Sequence, residues 1–203
     1  MEIKIIGTTH LMSKEEIIKI IKEEKPDIIG VELCQTRLNL MVMNPITNQL
    51  ATGQLESAGL IQKISQTIKE KAEKENIQYG SDMINASKYA IENNIQLELL
   101  DRDIMEIQTL MEKIPKEELT YFLNELTKFQ EQNLSDSKNI DENKVINELN
   151  LKAPISSEIL LNSRELYITN KILKLILKYP KKRILIFLGK GHLNSIKKEL
   201  DLK

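Results

Sequence analysis

The chain has 203 residues, 41% of them hydrophobic, with 29 basic and 30 acidic residues and a formal net charge of -1. This length and composition predict one packed core, and the balanced charge gives no indication of a nucleic-acid surface or a polybasic membrane patch. No stretch has the ~20 apolar residues of a membrane helix, and the N-terminus lacks the pattern of a signal peptide. The single cysteine, Cys34, excludes an internal disulfide and is typical of a reducing compartment. We therefore expect a soluble, cytoplasmic protein.

The start of the chain predicts a strand, a helix and a second strand. Residues 2–6 are apolar and β-branched, and Ser13 with Glu16 forms a capping box that begins a helix ended by Pro26. Residues 27–33 predict the second strand. Two strands joined by a helix lie parallel with a right-handed crossover, so this segment predicts the beginning of a parallel sheet.

The middle of the chain is less regular. Residues 41–59 are polar and predict a loop, which precedes an amphipathic helix at about 60–75. Ser81 is the predicted cap of a further helix, and residues 95–100 predict the third strand.

A helical insertion is predicted around 104–155. Its clearest sign is the i, i+3, i+4, i+7 spacing of apolar residues, at Leu119, Phe122, Leu123 and Leu126. Residues 133–143 are polar and predict a loop within this insertion.

The end of the chain predicts a long helix at about 157–178 and a last strand at 183–188. The unbroken apolar run of this strand is typical of a strand buried on both faces of a parallel sheet. Asn194 or Ser195 is the expected cap of a short terminal helix. The sequence thus predicts an α/β fold with a mainly parallel central sheet flanked by helices, in one domain spanning 1–203.

Polar side chains follow each predicted strand, at the edge where parallel α/β sheets bind ligands. The residues are His10 after the first strand, Glu32, Cys34 and Arg37 after the second, Asp101, Arg102 and Asp103 after the third, and His192 after the last.

The chain has two histidines, and each stands three residues after a glycine at the end of a predicted strand. Imidazole nitrogens and carboxylate oxygens are ligands of divalent transition metals, so His10, His192 and Glu32 are the candidate metal ligands. Each also has a structural alternative. The histidines could hydrogen-bond within turns, and Glu32 could form an ion pair with Arg37 or Arg102.

The charged residues of the second and third strand ends have two interpretations as well. Arg37 and Arg102 could bind a substrate carboxylate, or they could pair structurally with Glu32 or Asp101. Asp101 and Asp103 could act directly, or they could serve to position Arg102. Cys34 is more typical of a small buried hydrophobic residue than of a nucleophile.

Five segments occur in the order in which they occur in the TraB/PrgY family: GTTH, PDIIGVELCQTR, GSDMINASKYAIENNIQLELLDRDI, SRELYI and ILIFLGKGHL. The chain resembles this family over nearly its whole length, more weakly at 41–78 and 105–155. The resemblance extends to Tiki peptidases, which share the paired GxxH motif. The chain differs from the common family pattern at Asp82, where glutamate is usual, and at Arg164-Glu165, where Arg-Asp is frequent.

The resemblance implies a fold like that of erythromycin-esterase and ChaN-like proteins. The resemblance to Tiki relatives implies a metal-dependent peptidase that uses both GxxH histidines and a glutamate. The resemblance to PrgY implies a protein that blocks or degrades a peptide pheromone. Arg164, Glu165 and Asp82 are then expected to complete or brace the cleft. Many family members continue into a membrane-spanning region, so the natural protein would be membrane-associated if it is longer than this chain.

The leading functional prediction is a metal-dependent, peptidase-like hydrolase. It would use a divalent ion of the Mn, Co or Zn class, with Glu32, Arg37, Asp101, Arg102, Arg164 and Glu165 as catalytic residues. The alternative is a non-catalytic module that sequesters a peptide or partner protein. Haem binding, by analogy with ChaN-like relatives, is disfavoured by the two histidines and few aromatic residues. A homo-oligomer is compatible with the sequence, which leaves the substrate and the metal open.

Overall fold

The computed structural model describes residues 2–8, 12–39, 80–134 and 142–201, and within them it contains one four-stranded parallel sheet. Its strands are β1 (Glu2–Thr8), β2 (Ile28–Val31), β3 (Gln96–Leu99) and β4 (Arg183–Gly189), in the order β1-β4-β2-β3. The strands predicted at 2–6, 27–33, 95–100 and 183–188 therefore share one sheet, and the predicted α/β class is confirmed.

Helices occupy most of the other described residues. In chain order they are α1 (Lys14–Glu24), α2 (Gln35–Leu38), α3 (Ser81–Glu92), α4 (Ile104–Met111), α5 (Lys116–Leu134), α6 (Glu142–Lys152), α7 (Pro154–Ser157), α8 (Ser163–Lys178) and α9 (Lys190–Glu199). None of the helices in the described ranges is long and apolar enough to cross a bilayer. The predicted loop at 41–59, the helix at 60–75 and most of the loop at 133–143 lie outside the described residues.

Helix α1 begins and ends where its local sequence predicts. Ser13 Oγ accepts from the backbone N–H of Glu16 at 3.2 Å, and the Glu16 carboxylate accepts from the backbone N–H of Ser13 at 2.9 Å. The helix ends before Lys25, which is in the left-handed conformation with φ 46, and Pro26 follows. Both ends of α1 are therefore set by residues within one turn of them.

Helices cover the sheet on both faces, as expected. On one face α1 and α3 pack against Leu185 and Phe187 of β4 through five buried residues: Ile17, Ile21, Met83, Ala86 and Ala90. On the other face α8 and α9 pack against Ile184, Ile186 and Leu188 through Ile168, Ile172, Leu175 and Ile196. Alternate residues of β4 thus enter opposite hydrophobic clusters, which explains why its apolar run is unbroken.

The predicted helical insertion is confirmed for the described part of 104–155. Helices α4, α5 and α6 enclose a third hydrophobic cluster, in which Phe122 is fully buried beside Leu119, Leu123 and Leu149. The side of α5 that carries the predicted apolar spacing is the side that is buried.

Three local predictions are wrong in detail. The terminal helix α9 begins at Lys190, with Gly189 as its N-cap, so neither Asn194 nor Ser195 caps it. The residues before Asn194 are already packed, since His192 is buried and Leu193 packs against the sheet cluster, and this packing outweighs the capping preference of the two polar residues. Helix α3 is preceded by Gly80 with φ 75, a left-handed position suited to glycine, and the hydroxyl of Ser81 instead donates to the carbonyl of Met12. The predicted helix at 157–178 contains a π-helical turn at Glu158–Asn162.

Candidate functional site

Glu32 follows β2 directly, and its carboxylate is 5% exposed. Its Oε2 accepts from the backbone N–H of Gly189, at the end of β4, at 2.6 Å. Its Oε1 accepts from Nη2 of Arg164 at 3.0 Å. Burying an ionised carboxylate is costly unless it is paired and hydrogen-bonded, and both conditions are met here.

Arg164, in the first turn of α8, also holds Asp101 at the end of β3. Its Nε donates to Asp101 Oδ1 at 3.1 Å and its Nη2 donates to Oδ2 at 2.7 Å, so the pair is bidentate. Its Nη1 donates to the carbonyl of Leu160, in the π-helical turn, at 3.3 Å. Burial alone would lower the pKa of this guanidinium, but the carboxylates of Asp101 and Glu32 outweigh burial and raise it. Arg164 is therefore a permanent cation between two buried carboxylates.

Arg37 is a second cation at the same place. Its Nη1 lies 3.3 Å from Asp101 Oδ2 and 3.4 Å from the carbonyl oxygen of Glu32. The short helix α2 that carries Arg37 is capped by Cys34, whose Sγ accepts from the backbone N–H of Arg37 at 3.5 Å. Cys34 is buried in this capping position, which is a structural role.

His192 lies in the first turn of α9, and its two ring nitrogens contact different carboxylates. Nδ1 is 2.9 Å from Oε1 of Glu165, and Nε2 is 3.6 Å from Oε1 of Glu32. Burial opposes protonation of the ring and lowers its pKa. The charge of Glu32 and the hydrogen bond to Glu165 outweigh burial, so the pKa of His192 is raised. The two carboxylates thus favour a positive charge at this position.

Close approach of α9 to β1 positions the first turn that carries His192. A Cβ atom at Gly7 would lie 2.7 Å from Cδ2 of Leu193, so the glycine provides space that any larger residue would fill. Thr8 and Gly189 are partners in the parallel register of β1 and β4. The end of β1, which leads toward His10, is therefore adjacent to the glycine that donates to Glu32.

The other predicted site residues lie around this group. The Arg102 guanidinium stacks over the ring of Tyr167 with 5.6 Å to its centroid, and its Nε is 3.8 Å from Oε2 of Glu106. Asp103 caps α4 by accepting from the backbone N–H of Met105, and it also accepts from the hydroxyl of Thr36. Neither the Arg102 nor the Asp103 contact involves Glu32 or His192.

Asp82 is fully buried in the first turn of α3, where its Oδ1 accepts from the backbone N–H of Met83 at 2.8 Å. His10 lies outside the described residues, so its position relative to the other candidate residues stays a prediction.

The charges of the described group suit a cation beside Glu32 and His192. The group holds three carboxylates, those of Glu32, Asp101 and Glu165, and two guanidiniums, those of Arg37 and Arg164, so one negative charge is in excess while His192 is neutral. A hydrogen bond from His192 Nδ1–H to Glu165 would leave Nε2 as a donor atom for a metal, with a carboxylate orienting the ring. Within the described ranges, no three His, Cys, Asp or Glu side chains already form a metal-binding cluster. The described residues therefore supply part of a metal donor set, and the predicted ligand His10 would have to complete it.

Two contributors were not predicted from the sequence. The backbone N–H of Gly189 and the carbonyl of Leu160 bind charged side chains, and backbone groups leave no signal in residue identity. For Gly189, its place at the end of a predicted strand was the available indication. Arg164 and Glu165 entered through the family resemblance alone, since spacing does not relate a helix to strand ends that are far away in sequence.

Comparison with known proteins yields matches of different extent. No protein-family model matches the chain. Over 96% of its length it is 25% identical to an uncharacterized protein of Methanocaldococcus jannaschii, and this match covers 52% of that protein. It is 40% identical over 45 residues to TraB domain-containing proteins of Homo sapiens and Mus musculus. These 45 residues are 21% of this chain and 12% of each TraB protein.

The chain therefore spans about half the length of the archaeal relative, and its match to the mammalian proteins is a short part of each. This short match agrees with two earlier observations, the order of the five sequence segments and the α/β fold. Together these three observations support the resemblance to the TraB family, which the mammalian proteins share with this chain over 45 residues.

Proposed function

We propose that this chain is a metal-dependent hydrolase that acts on a peptide, with His10, His192 and Glu32 as the ligands of a divalent ion. The observation that carries the proposal is the contact series Glu165–His192–Glu32. Glu165 lies on α8, His192 in the first turn of α9 after β4, and Glu32 directly after β2. The two contacts of His192 with these carboxylates are at or near hydrogen-bonding distance. A histidine held by a carboxylate on one nitrogen, with its other nitrogen toward a second carboxylate, is a common arrangement at metal sites.

Each described residue has a role in this proposal. Glu165 holds the ring of His192 through Nδ1 and so directs Nε2 toward Glu32. Arg164 holds the Glu32 and Asp101 carboxylates in place, because it offers each of them a charge-assisted hydrogen bond. A bound divalent ion would lower the pKa of a water molecule and polarise the scissile carbonyl. Glu32 then serves as a ligand or accepts a proton from water, and Arg37 or Arg102 binds the substrate carboxylate or supports the oxyanion.

The second candidate is a non-catalytic module that sequesters a peptide. One observation favours it: both oxygens of Glu32 already accept hydrogen bonds, from Arg164 and from the backbone of Gly189. A carboxylate so engaged is also what a purely structural ion-pair network contains. In this case Arg37 and Arg102 would contribute to a charged recognition surface, and no chemistry would follow.

Metal titration of the full chain distinguishes the two candidates. After treatment with a chelator, calorimetric titration with Mn²⁺, Co²⁺ or Zn²⁺ should show one ion per chain for the wild type. His10→Ala and His192→Ala should each weaken binding sharply, and Glu165→Gln should weaken it by about 10–100-fold, as expected for a residue that orients a ligand. Glu106→Gln is the matched control, because this carboxylate lies near the same edge but is 67% exposed and contacts Arg102.

The same samples are then incubated with a mixture of synthetic peptides, and cleavage products are identified by mass spectrometry. We expect cleavage by the metal-loaded wild type and its loss in His192→Ala. A wild type that binds none of the three ions, or that binds them equally well after both histidine substitutions, would refute the metallohydrolase. Retention of intact peptide by such a protein would establish the sequestering module.

A further inference from the structure

The overall charge balance conceals a strongly basic segment near the C-terminal end of the chain. Residues 166–198 contain nine basic residues and no acidic residue, which leaves 20 basic against 30 acidic residues in the rest of the chain. The nine are Lys171, Lys174, Lys178, Lys181, Lys182, Arg183, Lys190, Lys197 and Lys198. This segment forms α8, β4 and α9, of which the two helices cover one face of the sheet.

Helix α8 also exposes a row of leucines on its outer side. Leu166, Leu173 and Leu177 are 56%, 39% and 79% exposed. They are seven and four residues apart, so they form one stripe along the helix. The opposite side of α8 is buried through Ile168, Ile172 and Leu175. The exposed leucines are therefore additional to those that hold the helix on the sheet.

Lysines border this leucine stripe. Lys174 and Lys178 are exposed on the same helix, and Lys181 follows in the turn to β4. Among the described residues, none of these three forms an ion pair with a carboxylate. By contrast, Oδ1 of Asp27 lies 3.5 Å from Nζ of Lys182, and Oδ2 lies 3.9 Å from Nε of Arg183. Asp27 therefore offsets part of the charge of these two residues. Lysines near a helix C-terminus also interact favourably with its dipole, but this effect does not account for the leucines beside them.

We propose that the outer face of α8, formed by Leu166, Leu173, Leu177, Lys174 and Lys178, binds the anionic phospholipid surface of a bilayer. A stripe of leucines bordered by lysines has the chemistry of an interfacial helix, in which the leucines enter the acyl boundary and the lysines contact headgroup phosphates. A second copy of the chain is a poorer occupant. Two such faces would bring lysines together, and the segment holds no carboxylate to pair with them.

The position of the face leaves the candidate active site accessible. Arg164 and Glu165 stand at the start of α8, whereas Leu177 and Lys178 stand at its end, about 20 Å away along the axis. Because α8 leads directly into β4, its end lies at the amino edge of the sheet, opposite to Glu32 and His192. Substitutions of Lys174, Leu177 and Lys178, toward the end of the helix, should therefore leave metal binding unchanged.

Flotation of the full chain with vesicles tests the proposal. Vesicles of phosphatidylcholine alone should bind little protein, and vesicles that contain equal parts of phosphatidylcholine and phosphatidylglycerol should bind it in a manner that weakens with salt. Replacing Lys174 and Lys178 by glutamine should lower the partition coefficient by roughly 25-fold, at about fivefold for each lysine. Leu177→Gln should lower it by about tenfold.

Matched controls are available elsewhere on the surface. Leu151 on α6 is 80% exposed, like Leu177, and Lys19 on α1 is exposed, like Lys174. Leu151→Gln and Lys19→Gln should leave vesicle binding unchanged. All the substituted side chains are exposed, and circular dichroism and thermal unfolding of each variant verify that the fold is retained.

Three results would overturn the proposal. The first is a wild type that does not bind the anionic vesicles, or that binds both kinds of vesicle equally. The second is tight binding of a double-stranded DNA probe that Leu177→Gln does not weaken, which would make the face a general polyanion surface. The third is a dimer in sedimentation velocity that Leu177→Gln dissociates, which would assign the leucines to a second copy of the chain.

Discussion

At the scale of single residues, Arg164 is the group on which the described charge network depends. It contacts two carboxylates from two strand ends, and each of those is at most 5% exposed. A buried ion pair is not by itself strongly stabilising, because both partners lose their hydration. Loss of one partner is different, since it leaves the other charge buried without compensation.

We therefore expect Arg164→Met to lower the free energy of unfolding by about 3–5 kcal/mol at neutral pH, measured by urea denaturation. Arg102→Met is the control from the same edge of the sheet. Its partner Glu106 is 67% exposed at 3.8 Å, so its loss should cost at most about 1 kcal/mol. Equal losses in the two variants would contradict the central role of Arg164.

At the scale of elements, Asp27 joins the beginning of β2 to the beginning of β4. Its backbone N–H donates to the carbonyl of Arg183 at 2.9 Å, and its Oδ2 accepts from the backbone N–H of Arg183 at 2.8 Å. The hydrogen bond from the backbone N–H of Arg183 to the Asp27 carboxylate is the main cause that lowers the pKa of Asp27. The side chain thus continues the pairing of the two strands by one further bond.

The lowered pKa of Asp27 predicts a dependence of stability on pH. A carboxyl whose folded pKa is depressed stabilises the fold above its unfolded pKa, about 3.9, and this contribution is lost as the pH falls through the folded pKa. Wild type should therefore be more stable than Asp27→Asn at pH 6, and the difference should shrink as the pH falls below the unfolded pKa and through the depressed folded pKa. Chemical denaturation at a series of pH values measures it. A difference that does not change with pH would show that the charge of Asp27 is irrelevant.

At the scale of the whole molecule, the hydrophobic cluster of the helical insertion is distinct from the two clusters on the sheet. Arg164 links the two regions, because it donates to the carbonyl of Leu160, which packs against the insertion cluster, and also binds Glu32 and Asp101 at the strand ends. The prediction that residues 1–203 are one domain implies that the insertion and the sheet unfold together.

Phe122→Ala tests this cooperativity. The substitution removes a fully buried ring from the insertion and should destabilise the chain by about 3–5 kcal/mol. If the chain unfolds as one unit, hydrogen exchange should show faster exchange of the slowest amides in β4 as well as in α5. Ile172→Ala, in the cluster beneath α8, should affect both regions in the same way. Faster exchange in α5 alone would show that the insertion and the sheet unfold as two separate units.

Much of the fold was predictable because its determinants are local. The capping box of Ser13 and Glu16, the apolar run of β4 and the one-sided spacing around Phe122 each act within a few residues. The parallel arrangement follows from the strand–helix–strand order, and it predicted which residues stand at the carboxyl ends of strands. Local signals failed where packing outweighed them, as at the start of α9. Its N-cap is Gly189, five residues before Asn194, and its first turn packs through His192 and Leu193.

The partners of the charged residues were decided by the tertiary structure alone. The sequence offered Arg37 and Arg102 as partners of Glu32, yet the side chain of Glu32 binds Arg164, 132 residues away. Similarly, His192 is held by Glu165, from a helix that the strand-end rule does not include. Residue type and spacing determined that this chain forms a parallel sheet with charged groups at one edge. Which charges meet depends on the position of α8, and that position is set by the packing of Ile168, Ile172 and Leu175 against the whole sheet.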